Sequence, residues 1–190
     1  MTSRWFSLNR LYCQHFCRNL FRDQKAAELL KQLLPQFAKE GVSPEILERF
    51  SVSFRSGWKN WRDKDPDNLL YGRIFWDTRC GVRLEFEGQT IAGIGFDPEG
   101  RAVIIRQIQG CRGCDNCLVL VRWERLLVTL LTRLMSRSKW YREVGVITAS
   151  QSEYYRGRES TFKQRYDGTA RKLKFSFSAE RQLWLQPLKV

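Results

Sequence analysis

The chemistry-bearing residues concentrate in one stretch, QIQGCRGCDNCLVLVRW, residues 107 to 123. Gln107, Gly110 and Gly113 look like a turn that cradles a phosphate, with Arg112 placed to pair with its charge. Cys111, Cys114 and Cys117 form C-x2-C-x2-C, a spacing that lets thiolates converge on one ion from a compact turn. Zinc needs a fourth ligand, and Cys80 in the turn-like DTRCGV is the first choice, with Cys13, Cys17 and His15 behind it. An iron–sulfur cluster or free thiols in a loop are the competing readings of the same cysteines.

The basic residues mark a second grouping. Lys and Arg number 33 against 20 acids, a formal charge of +13, which favours an anionic partner: nucleic acid, a phosphorylated cofactor or an acidic membrane surface. Over residues 154 to 174, Arg156, Arg158, Lys163, Arg165 and Arg171 are mixed with Tyr154, Tyr155 and Tyr166. Cations neutralise phosphates and exposed rings stack on unpaired bases, so this mixture suits a nucleic-acid face or an anionic-cofactor site. It suits an ordinary solvated helix as well.

Other chemistries find no support. His15 is the single histidine, so no Ser–His–Asp or Cys–His set can be argued, and neither a P-loop nor paired carboxylates appear. The most apolar run, LVLVRWERLLVTLL, is interrupted by Arg122, Glu124 and Arg125 and belongs in a core, so no transmembrane segment is expected. No secretory leader is visible, and a cytoplasmic setting is the default. Residues 1 to 22 carry four Arg and no acid, as a basic arm or an organelle-targeting segment would.

The elements that must position these residues change character along the chain. Residues 24 to 40 place Ala26, Leu29, Leu30, Leu33, Leu34 and Phe37 at helical spacing, with Pro35 expected to kink or divide the helix and Gly41 to end it. Ser43 and Pro44 open a second helix through PEILERFSVSF, giving a helical segment over residues 23 to 60. An α/β core follows over 61 to 190. LLYGRIFW, GVRLEFEG, QTIAGIGFD and RAVIIRQIQ read as strands joined by hairpins at EGQ and DPEG. Trp58, Trp61, Tyr71, Phe75 and Trp76 are expected to join helices to sheet. Leu118 to Arg137 forms a nearly all-apolar helix, EVGVITA a buried strand, and STFKQRYDGTARKL a helix capped by Ser160. KFSFS and QLWLQPL close the chain as strands. A helix between strands implies a crossover and one parallel pair, so the class is α+β with a mixed, largely antiparallel sheet and two packing helices.

That order, with its residues, resembles the GNAT N-acetyltransferase fold over roughly residues 82 to 188. The family's strand ends in Q/R-x-x-G-x-G/A before a helix. Here AVIIRQIQ leads into Gln107-Ile-Gln-Gly110-Cys-Arg112, so Arg112 stands at the second small position, Gly113 comes one residue late, and CDNCL intervenes. EVGVITA matches the strand that splays to admit the cofactor, and ARKLKF looks like the family's YEKLGF. The resemblance implies an acyltransferase using acetyl-CoA or another acyl-CoA on an amine, with Gln107, Gly110, Arg112 and Gly113 at the diphosphate. Where the family often has an acidic Tyr this chain has Ala170; Tyr166, four residues earlier on the same helical face, is the candidate acid and Glu153 the candidate base. Two non-enzymatic alternatives stand beside it. One is a basic module binding nucleic acid or a nucleoprotein; the other is a protein-binding module using its aromatic surface.

Overall fold

A computed structural model describes residues 25 to 56, 61 to 62, 74 to 152 and 155 to 189. The expected basic arm at 1 to 22, and Trp58, Tyr71, Glu153 and Tyr154, lie outside the described residues.

Helix α1, Lys25–Phe37, buries Ala26, Leu29, Leu30, Leu33 and Leu34 on one stripe. Pro35 stands in the last turn and does not divide it. The second helix is much shorter than expected: α2 is the single turn Pro44–Leu47, and FSVSFRS is strand β1, Phe50–Ser56. Aromatic Phe and β-branched Val favour extended backbone, and β1 finds a seven-pair antiparallel partner in β4, Cys80–Phe86. Strands β2, Trp61–Arg62, and β3, Phe75–Trp76, form a separate antiparallel pair.

Strands β4, β5 (Gln89–Glu99) and β6 (Ala102–Gly110) make the expected meander, although β5 runs straight through Pro98 and the turn comes at Gly100. A single helical turn, α3 (Asp115–Leu118), then precedes α4 (Trp123–Ser136), so the expected helix from Leu118 is interrupted. The break is tied down where Val121 bridges Ala38 and the Arg122 N–H donates to the Phe37 carbonyl at 2.8 Å. Strand β7, Glu143–Ile147, follows, then a helical stretch with three parts: α5 (Glu159–Lys163), a π turn (Gln164–Gly168) and α6 (Thr169–Lys172). Its N-cap is Arg158, not Ser160. Strands β8 (Ser176–Ser178) and β9 (Leu183–Pro187) end the fold.

The main sheet has seven strands in the order β1-β4-β5-β6-β7-β9-β8, all antiparallel except β6 with β7. The class is α+β, as the alternation of segments implied. One face carries Val82, Leu84, Ile94 and Phe96 into the main core with α1 and α4, whose Leu126, Leu127, Leu130 and Leu131 are fully buried. On the opposite face the segment from Ile74 to Thr78 lies flat on the sheet. It can do so because Gly81, Gly93 and Gly95 leave a hollow; a Cβ on Gly93 would stand 2.8 Å from the Trp76 ring. Arg55 and Arg83 stack over the Trp76 indole, at 5.3 and 5.8 Å.

Candidate functional site

The parallel pair carries the site. Pairing of β6 with β7 covers only Ala102 to Ile105 against Glu143 to Val146, while β6 continues to Gly110. The cause is a bulge: Gly95 pairs Gln107 and Phe96 pairs Ile105, so Arg106 is an extra residue in β6. A bulge bends its strand and sharpens the twist, which turns the rest of β6 away from β7.

The edge so freed faces a cavity of about 730 Å³. The Tyr166 hydroxyl accepts the Ile108 N–H at 3.0 Å and donates to the Arg106 carbonyl at 3.4 Å, bonding the bulged backbone directly. Its ring stacks on Phe162 with centroids 5.7 Å apart. Burial, first among the causes, pushes the Tyr166 phenol up to about 12, so it stays protonated at neutral pH. The nearby Asp77 carboxylate pushes the same way, while the Ile108 N–H and Arg165 oppose it.

Gln107 fixes the other wall. Its side chain donates to the Phe75 carbonyl and accepts the Asp77 N–H at 3.4 Å, holding β3 and the following turn against β6. Asp77 is the one carboxylate among the described residues lining the cavity, opposite Arg112, Arg158 and Arg165. Arg165 lies over the Trp123 ring at 5.3 Å, and its buried Nε has no hydrogen-bond partner among the described residues. Past Gly110 the Cys111 N–H is used by the Ile91 carbonyl at 2.8 Å, whereas the N–H groups of Arg112 and Gly113 meet no backbone acceptor among the described residues.

The structure therefore brings together Gln107, Gly110, Arg112, Arg158, Arg165 and Tyr166 from the residues singled out in the sequence. Gly113, Lys163, Arg156 and Arg171 are not on the cavity wall; Arg171 instead covers the Trp184 ring at 5.3 Å. Tyr166 is buried and so presents no open ring for base stacking, while Tyr155 is half-buried against the main core. Asp77 and Phe162 escaped the sequence reading, whereas of Phe75 and Trp76, expected to join helices to sheet, the first lies on the cavity wall and the second in a separate cluster with Ile74 and Cys111. The alternating glycines of GIG with Gly81 were the available signal, since they mark a sheet face that something must cover.

The cysteines do not converge as four ligands. Cys80 is the first residue of β4, not a hairpin turn, and is buried in the main core, whereas Cys111 packs with Ile74 and Trp76 in a separate cluster. Burial raises the thiols of Cys114 and Cys117. Among the described residues no three His, Cys, Asp or Glu side chains are grouped to hold a metal ion, and no helix is long and apolar enough to cross a membrane. The chain matches no protein-family model and no curated protein sequence.

Proposed function

We propose that the chain is a GNAT-like acyltransferase that takes an acyl-CoA donor and an amine acceptor. The observation that carries this reading is the departure of β6 from β7 at the Arg106 bulge, which opens a strand edge onto the cavity.

The residues present fit such a donor. Tyr166 occupies the Ile108 N–H and the Arg106 carbonyl, and the part of the β6 edge that it leaves, toward Gly110, accepts an extended amide chain, of which the pantetheine arm of coenzyme A is one. Arg112, Arg158 and the orphaned Nε of Arg165 offer donors for a diphosphate, as do the Arg112 and Gly113 N–H groups. Phe75, Ile108 and Phe162 supply apolar surface for the acyl end. When bound, the thioester supplies an activated acyl group. Asp77 is the group that accepts the amine proton, in place of Glu153, which lies outside the described residues. Tyr166 holds its proton at neutral pH, and its 3.4 Å bond to the Arg106 carbonyl is long enough to be redirected toward a leaving thiolate.

Calorimetry with acetyl-CoA, followed by acetyl transfer to primary amines, tests this. Arg158→Glu, at an exposed position, should weaken acetyl-CoA binding tenfold or more, by loss of about 1.4 kcal/mol or more. No binding of acetyl-CoA, together with nucleic-acid affinity that falls steeply with salt, would replace this reading with the basic binding module.

A further inference from the structure

Cys111 to Cys114 forms a β-turn: the Cys114 N–H donates to the Cys111 carbonyl at 3.4 Å, and Gly113 takes φ +84° at the third position. That conformation suits glycine and closes the turn tightly, with end Cα atoms within about 7 Å. A disulfide spans about 4.4 to 6.8 Å between Cα atoms, a separation within the reach of a turn of this kind. Their side chains are hydrogen-bonded to one another. Cys111 is 3% exposed and Cys114 half-buried, so an incoming reagent meets Cys114 first. Cys117 is close enough to Cys114 to push its thiol up, and also feels the charges of Glu87 and Arg49, so a bridge from Cys114 to Cys117 is the competing product.

We infer that Cys111 and Cys114 are a dithiol pair that closes to an intramolecular disulfide, with Cys114 as the attacking thiol and Cys111 as the resolving one. The oxidant is a small disulfide such as glutathione disulfide. The Cys114 thiolate attacks one of its sulfurs, the S–S bond breaks, and one glutathione leaves as thiolate. The Cys111 thiolate then attacks the Cys114 sulfur of the mixed disulfide and releases the second glutathione. The two thiol protons end on the two glutathiones, and the pair has lost two electrons to the reagent. Burial holds the Cys114 thiol above its ordinary range, so closure is slow near neutral pH and quickens as pH rises. The bridge encloses Arg112 and Gly113, and so fixes the turn from which Arg112 reaches the cavity.

The inference stands apart from the acyl-CoA reading and is tested without it. The reduced full chain is incubated with glutathione disulfide, the remaining thiols are alkylated, and peptides are mapped by mass. The expected product is a cross-link between Cys111 and Cys114, two hydrogens lighter than the dithiol, with Cys117 alkylated. Cys111→Ser should leave Cys114 as a stable mixed disulfide with glutathione. Because Cys111 is buried, Cys114→Ser is the second arm: it should leave Cys111 free of glutathione and fully reduced. Alkylation of both Cys111 and Cys114, a bridge to Cys117, or a zinc ion retained on these thiols that blocks oxidation would each overturn the pairing.

Discussion

Tyr166 and Asp167, neighbours in the π turn, bond to opposite lips of the same gap. The Tyr166 hydroxyl accepts the Ile108 N–H of β6 at 3.0 Å, while the Asp167 carboxylate accepts the Trp184 indole N–H of β9 at 2.8 Å and the Ala149 N–H beyond β7 at 3.4 Å. Where β6 and β7 part, one helical turn substitutes for the missing strand pairing. A π turn is uncommon and tends to occur at functional sites, and here its extra residue sets two adjacent side chains against different strands.

Removing the Tyr166 hydroxyl should therefore be felt in stability first. Tyr166→Phe leaves the Ile108 N–H buried without its acceptor, a cost of about 1–3 kcal/mol. The pH dependence has a definite sign. The unfolded phenol ionises near its ordinary value of 10 while the folded one resists to about 12, so stability is full below pH 10 and falls as pH climbs through 12. The loss at the upper end is about 2–3 kcal/mol. Urea unfolding at pH 9, 10 and 11 should show this slope in the parent chain and a flatter one in the Phe variant.

The second lip is tested by Asp167→Asn. The charge-assisted bond to Trp184 becomes a neutral one, and a loss of about 1 kcal/mol is expected. Hydrogen exchange at Trp184 and its neighbours in β9 should quicken, with β4 and β5 unchanged. Equal loosening of all strands would mean that the π turn is not the local clasp between β7, β9 and β6.

Asp77 carries the heaviest chemical assignment in the proposed reaction. Asp77→Asn keeps the side-chain shape and the backbone N–H bond to Gln107, so the folded chain should retain its acetyl-CoA affinity. Amine acetylation should fall by about 10²–10⁴-fold, the usual worth of a positioned proton acceptor. An unchanged turnover number would take the proton-accepting role away from Asp77.

The sequence revealed most of the C-terminal sheet because its periodicities were local. Val82, Leu84 and Phe86 alternate, and the helix of Leu126 to Met135 is apolar on nearly every face that meets protein. FSVSF was misread as helix because its pairing partner lies about 30 residues onward in β4, and a short window cannot see that. The helical start expected at Leu118 failed for the same reason, since the bridge from Val121 to Ala38 is a long-range contact. Gln107, Arg112 and Tyr166 were legible as residue types at a strand end and on a helix face. Asp77 was not, because its position depends on Trp76 resting in a glycine hollow and on Gln107 reaching across from β6.

That hollow can be tested by filling it. Gly93→Ala places a Cβ 2.7 Å from Ile74 Cδ1 and 2.8 Å from the Trp76 ring, with the Val82 carbonyl at 3.1 Å preventing retreat. Overpacking of this kind costs about 1–3 kcal/mol. It should also lift the segment from Phe75 to Asp77 off the sheet and weaken ligand binding in the cavity. Ile74→Val deletes the nearer atom, so the double variant should recover part of the loss, and a double-mutant cycle by urea unfolding measures that coupling. Strict additivity of the two changes would show that the segment does not rest on Gly93, and the placement of Asp77 would lose its structural basis.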